Sequence, residues 1–260
     1  MTKIGLMCPM DEEIGLIAKQ FDRPHRLKLA GMQVWEGEWY NFHCTVMKSG
    51  LGKVAAAAGA QALISVGEIK AVFLVGLAGG LEPSLQIGDV VIGDRLIQHD
   101  LDPRPLFDYT VIPDLGVTFI ETDKTLRKAA FSAATELLQE KFSRVFSEEV
   151  RNRFGLLRPQ AKIGSILTGD QFVSGDGTQR LHHAFPDALC VEMEGAAVGQ
   201  VCFMNGIPLT VLRIISDRAD HTALFDFTQF LNDVAGKYSF ALLDLLLGHL
   251  AKTPIISYNK

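Results

Sequence analysis

No C-x-x-C pair, no histidine cluster at metal-ligand spacing and no basic excess occur in this 260-residue chain. The four cysteines, Cys8, Cys44, Cys190 and Cys202, all lie in apolar stretches. They read as buried free thiols in a reducing compartment, not as disulfides or zinc ligands. His182 and His183 are adjacent and point different ways, and His99 beside Asp100 and Asp102 lacks a third partner, so no metal is expected. Lys and Arg number 25 against 30 Asp and Glu, a net charge of −5, which argues against a dedicated nucleic-acid binder. No uncharged apolar run reaches ~18 residues, so no membrane span is expected. The N-terminal apolar run is short and runs into three acids, unlike a signal peptide, so the cytoplasm is the expected location. No Gly-x-Ser-x-Gly elbow occurs and no cysteine has an evident histidine partner, which leaves covalent acyl chemistry without support.

The sequence is rich in apolar material instead: 48% hydrophobic and 21% charged residues, the balance of a globular core. Strand patterns fall at Lys3–Cys8, Met32–Glu38, Phe42–Lys48, Ala71–Val75, Gly88–Gln98, Ile163–Leu167, Ala188–Met193 and Pro208–Ser216. Helical patterns fall at Asp11–Gln20, Val54–Ile64, Lys124–Lys141, Glu194–Met204 and Phe227–Leu250. Alternation of the two predicts a single α/β domain over 1–260, with a central mixed, largely parallel sheet flanked by helices. The charge-rich stretch at about 140–158 reads as a solvated helix or a helical insertion.

Two glycine loops punctuate the pattern. Ser49-Gly50-Leu51-Gly52-Lys53 fails the P-loop test, because no glycine stands five residues before Gly52 and Val54 replaces the Ser or Thr that would hold magnesium. It fails the dinucleotide test too, since Ala55 occupies the third glycine place. On its own it reads as a tight strand-to-helix turn. Gly76-Leu77-Ala78-Gly79-Gly80 follows the best buried strand, where ligands of open α/β sheets bind and where glycine lets a flat ligand approach the backbone.

Acids at strand ends carry more information. Glu13 follows the first strand, Glu192 and Glu194 flank Met193 at the end of another, and Asp217 ends a third. Each has a bland role available: charge complementarity at a helix start for Glu13, a helix cap for Asp217. Taken together, carboxylates at several strand ends are costly unless they are paired or face a cleft.

Read jointly, Met10-Asp-Glu-Glu13, Lys48-Ser-Gly-Leu-Gly-Lys-Val-Ala-Ala56, Gly76-Leu-Ala-Gly-Gly-Leu81, Gly88-Asp-Val-Val91, His99-Asp100, Gly169-Asp-Gln-Phe-Val173, Val191-Glu-Met-Glu194 and Arg213-Ile-Ile-Ser-Asp217 run in order along nearly the whole chain. In this order they resemble the bacterial 5′-methylthioadenosine/S-adenosylhomocysteine nucleosidases of the nucleoside phosphorylase superfamily. Val-Glu-Met-Glu, followed some twenty residues on by Ser-Asp, is the specific part. The resemblance implies hydrolysis of an N-glycosidic bond to adenine and a 5-thio-substituted ribose, with no cofactor and no metal. It implies Glu13 as the base for water and Asp217 as the acid at adenine N7. Glu194 would hold the ribose hydroxyls over Met193. Phe172 would stack on adenine, and the Val173 backbone would read its edge. Leu51 and Phe227 would be apolar walls, Leu77, Ala78 and Gly79 would line the loop, and Glu192, Arg213 and Ser216 would support water or Asp217. A homodimer is implied, with Leu106 or Phe107 reaching the neighbour's alkylthio pocket.

Three stretches depart from that pattern. Leu77 stands where many relatives carry a small hydroxyl residue, 140–158 is longer than in short bacterial forms, and Asp102-Pro-Arg-Pro-Leu-Phe107 differs from the commoner loop. These departures keep a second substrate in view, another 5′-modified nucleoside of the futalosine type. A phosphorylase fits poorly, because Glu13 would repel phosphate and no Gly-Asp-Pro-x-Arg pattern lies near the N-terminus. A non-catalytic nucleoside binder would be expected to lose an acid, and Glu13, Glu194 and Asp217 are all present.

Overall fold

A computed structural model describes residues 1–21, 24–220 and 222–252. β1 (Thr2–Cys8) leads into α1 (Asp11–Lys19), and β2 (His25–Leu29), β3 (Met32–Trp39) and β4 (Phe42–Lys48) follow. Then come α2 (Lys53–Ser65), β5 (Val72–Gly80), β6 (Val90–Gln98) and β7 (Ile120–Glu121). α3 (Lys124–Glu136) runs through a π-helical turn at Leu137–Lys141 into α4 (Phe142–Val145) and α5 (Glu148–Arg153). The rest is β8 (Ala161–Thr168), α6 (Asp176–Ala184), β9 (Ala188–Glu192), α7 (Gly195–Asn205), β10 (Leu209–Asp217), α8 (Ala223–Phe230), a second π-helical turn at Leu231–Ala235 and α9 (Gly236–Lys252).

The strands join in one mixed sheet. β1 pairs in parallel with β4 and β5, β5 with β10, β6 with β8, and β8 with β9. The β2–β3–β4 meander, the β6–β7 and β6–β10 pairs and a short β5–β9 pair are antiparallel. Because β10 bonds to both β5 and β6, and β9 to both β5 and β8, the strands β5–β10–β6–β8–β9 close a ring. The strand pattern alone suggests an open sheet. Closure comes from Gly79 and Gly80 at the end of β5, which pair with Val191 and Cys190 of β9.

Side chains alternate across the sheet. Phe73, Val75, Leu212 and Ile214 join one apolar layer with Ile14 and Ile17 of α1, Ala130 of α3 and the leucines of α9. Val72, Leu74, Val211 and Ile215 join the other, with Ala56 and Ala60 of α2 and Ala197 and Val198 of α7. Both faces of β5 and β10 are thus covered, which is why Val72–Val75 reads as a continuous apolar run and β10 is apolar at most of its positions. The alanines let α2 and α7 lie close to the sheet.

The 140–158 stretch is anchored, not merely solvated. Phe142 and Phe146 set their rings 5.4 and 5.5 Å from Tyr238 of α9, Phe154 packs on Phe230, and Arg153 pairs with Asp233 at 2.9 Å. The helical run Ala223–Lys252 is long and apolar enough to cross a membrane by length and composition. Its Tyr238, Leu242, Leu243, Leu246, Leu247 and Leu250 are buried in the core, and that burial accounts for the apolar composition.

Candidate active site

A cavity of about 300 Å³ lies where β1, β5, β9 and β10 end. The turn after β1 delivers Pro9 and Met10, the first turn of α1 delivers Glu13, the end of β5 delivers Leu77, Ala78 and Gly79, and β10 delivers Ser216 and Asp217. The short β5–β9 pairing brings Val191, Glu192, Met193 and Glu194 to the same place. Leu51 enters from the loop before α2, Gln171, Phe172 and Val173 from the segment after β8, and Phe227 from α8. Phe172 and Phe227 meet edge to face, with ring centroids 5.6 Å apart.

Every candidate named from the sequence as lining this site does so, apart from Arg213. The Arg213 side chain is fully buried and lies behind the carboxylates. Its Nη2 donates to Glu192 and, at 3.3 Å, to Glu194 Oε2. Gly76 makes room for it: a Cβ there would collide with Arg213 Nη1 and come within 3.0 Å of Glu13 Oε1. Pro9, Met10, Gln171 and Val191 line the cavity without having been named as site residues; Gln171 and Val191 adjoin Phe172 and Glu192, whereas Pro9 and Met10 stand four and three positions before Glu13. Leu106 and Phe107 are exposed and do not line the cavity within one chain. Among the described residues, no three His, Cys, Asp or Glu side chains gather as a metal site.

The carboxylates are wired differently. Glu13 is buried in the first turn of α1, and its Oε2 accepts the Met10 N–H at 2.9 Å. Burial pushes its pKa up, Arg213 and the Met10 amide pull it back, and it stands at about 8. Glu194 Oε1 accepts the Gly52 N–H at 3.0 Å. Burial raises this carboxyl, Arg213 opposes that and Glu192 reinforces it, to about 7. Glu192 accepts the Glu194 N–H at 3.0 Å, the Gly195 N–H at 2.8 Å, the Thr168 hydroxyl and Arg213. Those donors fix the Glu192 carboxyl at the start of α7, where its oxygens accept the first backbone amides of the helix. Asp217 Oδ1 accepts the Ala219 N–H at 2.8 Å and Oδ2 the Ser216 hydroxyl at 2.9 Å. Burial raises its pKa over the opposing pull of those two bonds, and Asp226 and Asp220 raise it further.

This is a mostly apolar hollow with acids at defined points, suited to a flat base and a sugar whose bond is broken by proton transfer. The model of the phosphorylase superfamily matches residues 3–247. The chain is 27% identical to the 5′-methylthioadenosine/S-adenosylhomocysteine nucleosidase of Neisseria meningitidis, solved with methylthio-immucillin-A (TM-score 0.81, 95% of this chain and 99% of that one). It is also 27% identical to the nucleosidase of Colwellia psychrerythraea in complex with adenine (TM-score 0.84, 96% of each chain). Identity reaches 32% with the futalosine hydrolase of Helicobacter pylori (TM-score 0.79, 95% and 98%). With the superfamily pattern spanning nearly the full length and nucleoside hydrolases matching end to end, the chain belongs to the phosphorylase superfamily, as an N-glycosyl hydrolase.

Proposed function

We propose that the protein hydrolyses 5′-methylthioadenosine and S-adenosylhomocysteine, releasing adenine and the 5-thio-substituted ribose. The observation that carries this reading is the placement of Glu13 and Asp217 on one cavity in unlike surroundings. Adenine leaves poorly as an anion, so a proton delivered to N7 lowers the barrier. Asp217 is the donor: it is buried, its charged neighbours are other acids, and its neutral form is favoured. Glu13 takes the proton from water. Only its ionised fraction, which Arg213 favours, can act as the base; with a pKa of about 8 that fraction is the minor one at pH 7 and grows as pH approaches 8.

As the bond breaks, the ribose gains positive charge. In their ionised forms Glu13 and Glu194 offer negative charge in a site of low dielectric, where it acts most strongly on the transition state. In this reading Glu194 binds the ribose hydroxyls over Met193; the Gly52 amide bond that fixes its carboxyl and the presence of both residues on the cavity support it. Phe172 supplies a face for the base, and Leu51, Met10 and Phe227 give a thioether an apolar surround.

A second reading, a 5′-modified nucleoside of the futalosine type, is favoured by the 32% identity to the H. pylori futalosine hydrolase. Exposed Leu106 and Phe107 suit a homodimer in which they approach the neighbour's cavity, and the four buried free cysteines suit the cytoplasm. The deciding experiment incubates the protein with methylthioadenosine, adenosylhomocysteine or futalosine in phosphate-free buffer and follows the free base. Adenine release from the first two without phosphate is the expected result. Release from futalosine alone selects the second reading, and a requirement for phosphate overturns both.

A further inference from the structure

The loop before α2 and the segment after β8 form different walls of the cavity, and a closed circuit of hydrogen bonds joins them. The Lys53 N–H donates to Asp170 Oδ1 at 2.7 Å, the Asp170 N–H donates to Asp100 Oδ2 at 2.9 Å, and Lys53 Nζ returns to Asp100 Oδ1 at 2.6 Å. One residue before Lys53, the Gly52 N–H donates to Glu194. One and two residues after Asp170, Gln171 and Phe172 line the cavity.

α2 has a gap at its start that this circuit fills. Its N-cap is Gly52, it carries no acid in its first turn, and no side chain of its own segment caps it. An unpartnered helix N-terminus favours an anion, and Asp170 supplies one from a distant part of the chain. Gly52 has φ +88°, and a Cβ on it would lie 3.0 Å from Asp170 Oδ1, so the approach depends on glycine. Burial raises the Asp100 carboxyl, but the Lys53 ammonium and the Asp170 amide outweigh it, so Asp100 stays charged.

We propose that Asp100, through Lys53 and Asp170, is a positioning residue for substrate binding: the circuit locks the amide that orients Glu194 to the segment that presents Phe172 and Val173. Sugar and base are thereby gripped by walls set relative to one another, although Asp100 lines neither. The binding half rests on the nucleosidase reading, and the locking half does not.

Substitutions at the two aspartates separate the circuit from bulk stability. Asn at 100 offers one acceptor where two donors arrive, so Asp100→Asn breaks the circuit. Asn at 170 keeps a carbonyl oxygen for the Lys53 N–H, so Asp170→Asn preserves what Asp170→Ala loses. Amide hydrogen exchange at Lys53 and Asp170 is measured in each variant, alongside KM and kcat for methylthioadenosine. Expected results are faster exchange at both amides in Asp100→Asn, and a KM rise of about tenfold in Asp100→Asn and Asp170→Ala with kcat changed by less than about threefold. Asp170→Asn should recover most of the KM. Unchanged exchange in Asp100→Asn overturns the lock. An unchanged KM, or loss confined to kcat, overturns the binding role. If the wild-type protein releases no adenine, the nucleosidase reading has failed, and the exchange measurement still decides the lock.

Discussion

Met10 donates its backbone N–H to Glu13 Oε2 at 2.9 Å, so the first turn of α1 fixes the carboxylate that faces the cavity. The bond is the return half of a capping box, from the third helical residue to the N-cap amide, a position where glutamine can replace glutamate. Glu13→Gln should therefore fold and still bind adenine, while turnover drops by about 10²–10⁴-fold through loss of the base. Steady-state adenine release and calorimetric titration with adenine check it. Turnover within a few-fold of wild type would remove Glu13 from its role.

Asp217→Asn keeps an acceptor for the Ala219 amide and removes the proton meant for N7. Turnover of methylthioadenosine should fall by about 10²-fold or more, with binding of a non-hydrolysable analogue still detectable. Full activity in this variant defeats the assignment of the acid.

The raised acids make stability fall as pH rises. From the ordinary 4.5 up to about 8, folded Glu13 holds a proton that the unfolded chain has released. Its contribution is fully present below 4.5 and is lost as pH climbs through about 8. Glu194 acts in the same direction up to about 7. Tm should decline between pH 5 and pH 8, and the decline should be shallower in Glu13→Gln. Parallel Tm–pH curves for the two proteins would contradict the buried, protonated Glu13.

Arg213 is the cation that Glu192 and Glu194 share. Arg213→Met leaves buried acids uncompensated and should cost about 3 kcal/mol or more of unfolding free energy. Gly76→Ala, which drives a methyl group into the same guanidinium, should also destabilise. Urea melts give both values, and a loss under about 1 kcal/mol for Arg213→Met would mean the ion pairs are dispensable.

Much of the frame was legible because buried strands have long apolar runs and glycine stops. β4 has the bounds its pattern predicts, and most other strands differ by one or two residues. β5 is the larger exception, because it continues through the glycines of Gly76–Gly80 that look like a terminator. β2 escaped notice because it is largely exposed and mixes His25, Arg26 and Lys28 with two leucines. α6 buries none of its residues, so it has no apolar stripe to read. The π-helical turns at Leu137–Lys141 and Leu231–Ala235 keep the helical period closely enough that each run reads as one helix. At the site, residue types signalled Glu13, Glu194 and Asp217. The depth of Arg213 was silent, because its partners come from another strand and a charged residue ordinarily implies a surface. Asp170 was silent for a similar reason: it looks like a loop acid, and only folding sets it at the start of α2.

β10 is the last strand among the described residues, yet it lies between β5 and β6. During synthesis those two neighbours must wait with unfilled edges until Leu209–Asp217 leaves the ribosome. The polypeptide thus has no half-built form that could work early, since the residue completing the sheet's middle is also the proposed proton donor. A copy cut short before Leu209 would therefore lack both this central strand and the proposed acid, Asp217.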